Sequence, residues 1–78
     1  MENLPTLPSE PQPGLYRHYK GNDYRVLALA RHSETLEPMV VYQTLYGERG
    51  WWVRPAAMFT GTVTVDGRRL PRFARVGE

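Results

Sequence analysis

Apolar and polar residues alternate over short runs along most of the chain, which is the pattern of β-strands with one buried face. In chain order the runs are "LYRHY" (15–19), "YRVLALAR" (24–31), "MVVYQTLY" (39–46), "WWVRP" (51–55), "GTVTV" (61–65) and "RLPRF" (69–73). Short strands with turn signals about every 8–12 residues are typical of small all-β folds. The pattern therefore predicts a mainly β domain, and we expect five or six strands in an SH3-like barrel.

The residues between the runs have the properties that turns require. "KGND" and the pair Asp66-Gly67 contain residues that tolerate positive φ, which predicts tight turns. Pro55 begins "PAAMF", where proline suits the first position of a short helical turn before the final hairpin. "HSETLEP" (32–38) predicts a longer polar loop between the second and third runs.

The first 13 residues differ from the rest in composition. They contain four prolines and few apolar residues. Proline removes backbone donors and restricts its neighbours, so residues 1–13 are predicted to form a disordered tail and residues 14–78 the β-barrel domain.

Alternation also predicts the faces of the hairpin around "GERG" (47–50). A symmetric hairpin would place Tyr46 opposite Trp51 and Leu45 opposite Trp52, and opposed residues share a face of the sheet. One face then holds Tyr42, Thr44, Tyr46, Trp51 and Val53, and the other holds Val41, Gln43, Leu45, Trp52 and Arg54. The second face has the more polar pairing, so we expect it to face solvent, with Trp52 exposed beside Arg54.

Length and composition restrict the class of protein. Seventy-eight residues are enough for one domain, and no apolar run approaches the roughly 20 residues that a membrane helix needs. The absence of cysteine and of a basic-then-apolar leader predicts a cytoplasmic protein. The net charge of +2, with a pI near 9.3, permits an anionic partner without requiring one.

Residues that could support catalysis are adjacent in the sequence, but this spacing does not favour a hydrogen bond between their side chains. His32 and Ser33 are adjacent, and adjacent side chains of an extended segment point to opposite faces, so they do not readily form a dyad. His18, His32 and Glu34 could form a metal set, but their spacing matches no known pattern. We expect neither enzymatic activity nor a metal or other cofactor, and a structural role for the polar groups of "RHSET".

Six short segments, taken in chain order, resemble the motifs of a known family. "YRHYKG", "ARHSETLE", "VVYQTLYG", "WVRP", "MF" and "DGRRLPRF" resemble the bacterial family called domain of unknown function 1653, over residues 14–76 or so. The resemblance implies a small β-barrel with no established activity. The motif positions are Tyr16, Arg17, His18, Tyr19, Lys20, Gly21, Arg31, His32, Ser33, Glu34, Tyr42, Tyr46, Gly47, Trp52, Arg54, Pro55, Met58 and Phe59.

Aromatic side chains combined with arginine are the strongest indication of binding. Such side chains can hold extended peptides, and they can also stack on nucleic-acid bases. The candidate ligand-binding residues are Tyr16, His18, Arg31, His32, Glu34, Tyr42, Trp52 and Arg54. We predict a non-catalytic module for a protein or peptide partner. The alternatives are RNA or single-stranded DNA binding, and a small-molecule-binding or weakly enzymatic domain; the oligomeric state is not predicted.

Overall fold

The computed structural model describes residue 4 and residues 6–78, which form a mainly β structure with one short helix. The strands are β1 (Gly14–His18), β2 (Asp23–Arg31), β3 (Pro38–Thr44), β4 (Trp51–Pro55), β5 (Thr62–Val65), β6 (Arg68–Pro71) and β7 (Phe73–Gly77). The helix α1 (Ala56–Phe59) follows β4 directly. No helix in these residues has the length and apolar character needed to cross a bilayer.

The strands form two antiparallel sheets. The larger sheet has the order β4-β3-β2-β1-β7, and β5 pairs with β6 in a separate ribbon. The run "RLPRF", predicted as one strand, is divided between β6 and β7, because Pro71 ends one strand and Phe73 begins the next. In the described part of the chain β4 and β7 are the edges of the larger sheet, so closure into an SH3-like barrel stays a prediction.

The predicted pairing of β3 with β4 is wrong by three residues. Tyr42, not Leu45, lies opposite Trp52, and β3 ends at Thr44, whose backbone N–H donates to Gly50. The connection therefore contains residues 45–50 rather than 47–50. An odd shift exchanges the faces, so Trp52 shares a face with Tyr42, and Trp51 lies on the other face. Trp52 is nevertheless 58% exposed.

The core is small and largely aromatic. It consists of Tyr16, Val26, Val40, Tyr42, Ala56, Phe59 and Phe73. Phe59 of α1 is fully buried and stacks on Phe73 of β7, with ring centroids 4.1 Å apart and planes 3° apart. The helix therefore covers one face of the sheet at the point where β7 returns to pair with β1.

Part of the predicted tail lies against the domain. Pro11 is buried, the Tyr16 hydroxyl donates to the carbonyl of Gln12 at 2.9 Å, and the Arg75 guanidinium donates to the carbonyl of Pro13 at 3.1 Å. Residues 1–3 and residue 5 of the tail lie outside the described residues. Disorder of the tail and the boundary at residue 14 stay predictions.

Candidate ligand-binding site

An open cavity of about 300 Å³ lies between strands β2, β3 and β4 and the 45–50 loop. Its walls are mainly aromatic, and we call it the aromatic cavity. The lining residues are Tyr24, Tyr42, Thr44, Tyr46, Gly47, Glu48, Gly50, Trp52 and Arg54. Its volume is at the lower end of the range for small-ligand sites, which is about 300–1,000 Å³.

Strand register and the loop bring the aromatic walls together. Tyr42 and Trp52 are directly opposed on β3 and β4, and therefore share one face. The loop turns through positive φ at Gly47 (59°) and Arg49 (57°), and it places Tyr46 beside Tyr24 of β2. The two tyrosine hydroxyls lie 3.2 Å apart, at hydrogen-bond distance, and the ring centroids are 5.7 Å apart.

Arg54 is the cationic group of the cavity. It is half-buried, and its guanidinium carbon lies 5.9 Å from the ring centroid of Tyr42 and 5.3 Å from that of Phe73. Both distances are within the range of cation–π attraction. Among residues 6–78, no hydrogen-bond acceptor or carboxylate binds this guanidinium. Its N–H donors therefore depend on solvent or on a ligand for their partners.

The surroundings of the cavity shift two ionisation equilibria. Burial, together with the hydrogen bond to Tyr46, raises the pKa of Tyr24 to about 12. Burial lowers the pKa of His18, and the nearby cations Arg54 and Lys20 lower it further. His18 also accepts the backbone N–H of Lys20 on Nδ1 at 3.1 Å. Near neutral pH both side chains are therefore uncharged, with the His18 proton on Nε2.

The comparisons with known proteins define the family. The family model described as "Protein of unknown function (DUF1653)" matches residues 14–75. The chain belongs to this family. A crystal structure of a DUF1653 protein from Bordetella bronchiseptica is similar to it, with 44% sequence identity and a TM-score of 0.79, covering 87% of this chain and 90% of that one. No curated protein matches the chain. The predicted resemblance is confirmed.

The aromatic cavity of this DUF1653 domain contains three of the predicted ligand-binding residues, namely Tyr42, Trp52 and Arg54. His18 lies beside the cavity, because its ring is 6.3 Å from that of Tyr24. Tyr16 is instead a core residue, only 5% exposed. The cavity thus gathers the aromatic and arginine candidates of β3 and β4, but not Tyr16 of β1.

The other candidates lie at the opposite end of the β2–β3 hairpin. Tyr24 pairs with Thr44 at the cavity end of the DUF1653 hairpin, and Arg31 pairs with Pro38 at the far end. Arg31 follows Tyr24 by seven positions along β2, which corresponds to about 23 Å. His32 and Glu34 follow Arg31 in the loop, so the structure does not bring these three candidates to the aromatic cavity.

His32 and Thr35 of the "RHSET" loop bind the loop's own backbone. His32 accepts the backbone N–H groups of Glu34 at 3.1 Å and of Thr35 at 3.3 Å on Nδ1. The Thr35 hydroxyl accepts the N–H of Glu37 at 3.3 Å, as expected for a polar turn. Ser33 is exposed. Within the described part of this DUF1653 chain, no three His, Asp or Glu side chains form a group that could hold a metal ion.

The candidate set from the sequence lacks Tyr24, Tyr46 and Glu48, which all line the cavity. Tyr24 could have been found, because it alternates with the buried Val26 at the start of β2. Alternation predicts a strand at Tyr46, whereas the approach of Tyr46 to Tyr24 depends on the conformation of the 45–50 loop. No simple pattern of the DUF1653 sequence predicts that conformation.

Proposed function

We propose that this DUF1653 domain is a non-catalytic binding module, and that it holds a protein or peptide ligand on the face around Trp52 and Arg54. The arrangement of the aromatic cavity carries the proposal. Three tyrosines and a 58%-exposed tryptophan line the cavity together with a guanidinium whose N–H donors have no protein acceptor in the described residues. Side chains of these types dominate the binding energy of protein interfaces.

The energetics favour an occupied cavity. Water covers the indole of Trp52, and a ligand that replaces this water gains hydrophobic free energy at about 25 cal/mol per Å² of apolar surface. The aromatic rings are held by the core, because Tyr42 is only 7% exposed and lies edge-on to Tyr24 at 5.5 Å. A rigid wall loses little conformational freedom on binding, so more of the contact energy appears as affinity.

The order of the strands supports an SH3-like barrel as the scaffold. β7 returns beside β1, and a helical turn follows β4 before the chain makes this return. Arg54 of one edge strand lies over the ring of Phe73 from the other edge strand, so side chains of the two edge strands meet on the inner face. Such a curved sheet would leave its outer rim and one end for ligands.

The non-catalytic part of the proposal is supported by the "RHSET" loop. Nδ1 of His32 already accepts two backbone N–H groups, and the adjacent Ser33 is exposed on the surface of the loop. This arrangement stabilises a turn, whereas a nucleophile needs a base that accepts its hydroxyl proton. The lack of cysteine in the chain supports a cytoplasmic location.

A library selection tests the proposed function. A random 12-residue peptide library is displayed on phage and selected against the immobilised full chain, in parallel with Trp52→Ala and with the control Leu70→Ala. Leu70 is an exposed apolar residue of the separate β5–β6 ribbon. We expect convergent sequences on the wild type and on the control, and their loss on Trp52→Ala. Equal recovery from all three proteins would contradict the proposal.

Single-stranded nucleic acid is the second candidate, because Trp52 combines an exposed planar surface with a neighbouring guanidinium. Stacking of one base on such a side chain contributes about 1–3 kcal/mol. Labelled U12 and dT12 oligonucleotides are titrated at low and high salt. Salt-sensitive binding that Trp52→Ala and Arg54→Ala abolish would replace the peptide hypothesis, whereas no binding at low salt would remove the alternative.

A further inference from the structure

The outer edge of β4 has unpaired backbone groups. The backbone N–H of Thr44 donates to the carbonyl of Gly50 at 3.1 Å, so these two residues form a hydrogen-bonded pair. In an antiparallel ladder hydrogen-bonded pairs alternate with non-bonded ones. Trp52 and Arg54 therefore bond to β3, whereas the N–H and C=O groups of Trp51 and Val53 point towards the edge. In the described residues no other strand pairs there.

This edge also exposes apolar side chains. Trp51 is 69% exposed and Val53 62% exposed, and both lie on the outer face of the sheet next to Val41. Proteins usually protect an edge strand with charge, with a bulge or with a covering element. β4 instead presents three consecutive large residues that are more than half exposed, together with free backbone donors and acceptors.

We propose that the ligand is an extended acidic peptide that adds to the edge of β4 as an antiparallel strand. Its apolar side chains would cover Trp51 and Val53 on the outer face, and one carboxylate would reach Arg54 in the aromatic cavity. This inference rests on the proposed function and specifies its ligand. Strand addition is an established mode of peptide recognition, in which main-chain hydrogen bonds provide affinity and alternate side chains provide specificity.

Charge complementarity selects the acidic residue. The Arg54 guanidinium is half-buried, and no carboxylate of residues 6–78 pairs with it. Burial lowers the pKa of His18, and the cations Arg54, Lys20 and Arg72 lower it further, so positive charge lies near this side chain beside the cavity. The carboxylate of Glu48 also lines the cavity, but it belongs to an exposed loop residue. A ligand carboxylate would give the guanidinium the bidentate partner that its geometry favours.

The register of β4 converts this inference into a sequence rule. In an antiparallel pair, the ligand residue opposite Arg54 comes first along the ligand chain, followed by those opposite Val53, Trp52 and Trp51. Residues opposite Arg54 and Trp52 face the cavity, and the other two face the outer side. The expected ligand pattern is therefore acidic, apolar, any residue, apolar.

Fluorescein-labelled synthetic peptides from the library selection test the rule by anisotropy titration with the full chain. We expect selected sequences to contain the acidic–apolar–any–apolar pattern. Arg54→Gln should weaken binding about tenfold or more, which corresponds to about 1.4 kcal/mol. The control Arg68→Gln removes the same charge from the exposed end of β6 and should change the affinity less than about twofold. Replacing the acidic peptide residue by its amide should have no further effect in Arg54→Gln.

Modified peptides test strand addition without any change to the protein. N-methylation of the ligand amides that face β4 should weaken binding about tenfold or more, and N-methylation of the intervening amides should not. Trp51→Ala should also weaken binding, because strand addition covers the outer face, whereas binding in the cavity alone would not involve Trp51.

The outcomes separate this inference from the proposed function. Peptides that require Trp52 but tolerate every N-methylation would overturn strand addition and leave the proposed function standing. If Arg54→Gln and Arg68→Gln bind the peptides with equal affinity, the ligand does not need an acidic residue opposite Arg54. A concentration-dependent dimer in sedimentation velocity that Trp51→Ala dissociates would show that a second copy covers the edge. Failure to select any peptide that depends on Trp52, or binding of oligonucleotides alone, would contradict both the proposed function and strand addition.

Discussion

Proline substitution at two neighbouring positions of β4 tests the hydrogen-bond pattern on which the proposed strand addition depends. Proline has no backbone N–H, so it is tolerated in a strand only where that N–H faces an open edge. The register places the N–H of Trp52 towards β3 and that of Val53 towards the edge. We therefore expect Trp52→Pro to be strongly destabilising and Val53→Pro to be nearly neutral.

The structure sets the size of the difference. Trp52→Pro removes the ladder hydrogen bond to Tyr42 and leaves the carbonyl of this buried residue without its donor, at a cost of about 1–3 kcal/mol. A 78-residue chain has a free energy of unfolding of about 4–12 kcal/mol, so the loss is a large fraction of the total. Val53→Pro removes no protein hydrogen bond, and we expect a cost below about 1 kcal/mol.

Urea denaturation followed by far-UV circular dichroism measures both variants, and a thermal melt gives an independent value. Each kcal/mol shifts the Tm of a domain this small by about 4–8 °C, so Trp52→Pro should lower it by about 4 °C or more. Equal destabilisation by the two substitutions, or a larger effect at Val53, would refute the register and with it the free edge of β4.

Three other substitutions test the core, the cavity and a tight contact. Phe59→Ala should cost about 3–5 kcal/mol in urea denaturation, because Phe59 is fully buried, whereas Met58→Ala, 53% exposed in the same helical turn, should cost less than about 1 kcal/mol. Burial and the hydrogen bond with Tyr46 raise the pKa of Tyr24 to about 12. The free energy of unfolding should therefore keep the full contribution of Tyr24 below pH 10 and lose it between about pH 10 and 12. Tyr46→Phe should shift the Tyr24 titration, followed by ultraviolet absorbance, to lower pH. Gly14→Ala should destabilise the fold by about 1–3 kcal/mol, because Gly14 has φ +151° and a Cβ would lie 2.8 Å from a carbonyl oxygen of β7; a variant as stable as wild type would contradict this.

Most of the strands were predictable because apolar and polar side chains alternate along them. Alternating runs located β1 to β6, and proline at the start of "PAAMF" located α1. The β3–β4 register was not predictable in the same way, since Leu45 and Tyr46 continue the strand pattern although they belong to the loop. The loop depends on positive φ at Arg49, a residue type that rarely signals this conformation.

The site was only partly predictable for a related reason. Residue type identified Trp52 and Arg54, which both line the cavity. The predicted register places them on the solvent face with Val41, whereas they lie on the face of the buried Tyr42. The contact between Tyr24 and Tyr46 joins positions 22 residues apart, and it follows from the loop conformation and not from a local pattern. The separation of the "RHSET" loop from the cavity follows from the length of β2, because a nine-residue strand places its two ends far apart.

The position of the two tryptophans gives the domain its own optical reporter. They are the chain's two indoles, they are adjacent on β4, and they occupy opposite faces of one edge strand. Intrinsic tryptophan fluorescence therefore comes from this strand, and quenching by a small polar solute should separate the two emitters when each is replaced by phenylalanine in turn. A molecule that covers one face of the strand should protect the tryptophan on that face from the quencher, so the side of binding can be read without a label on either component.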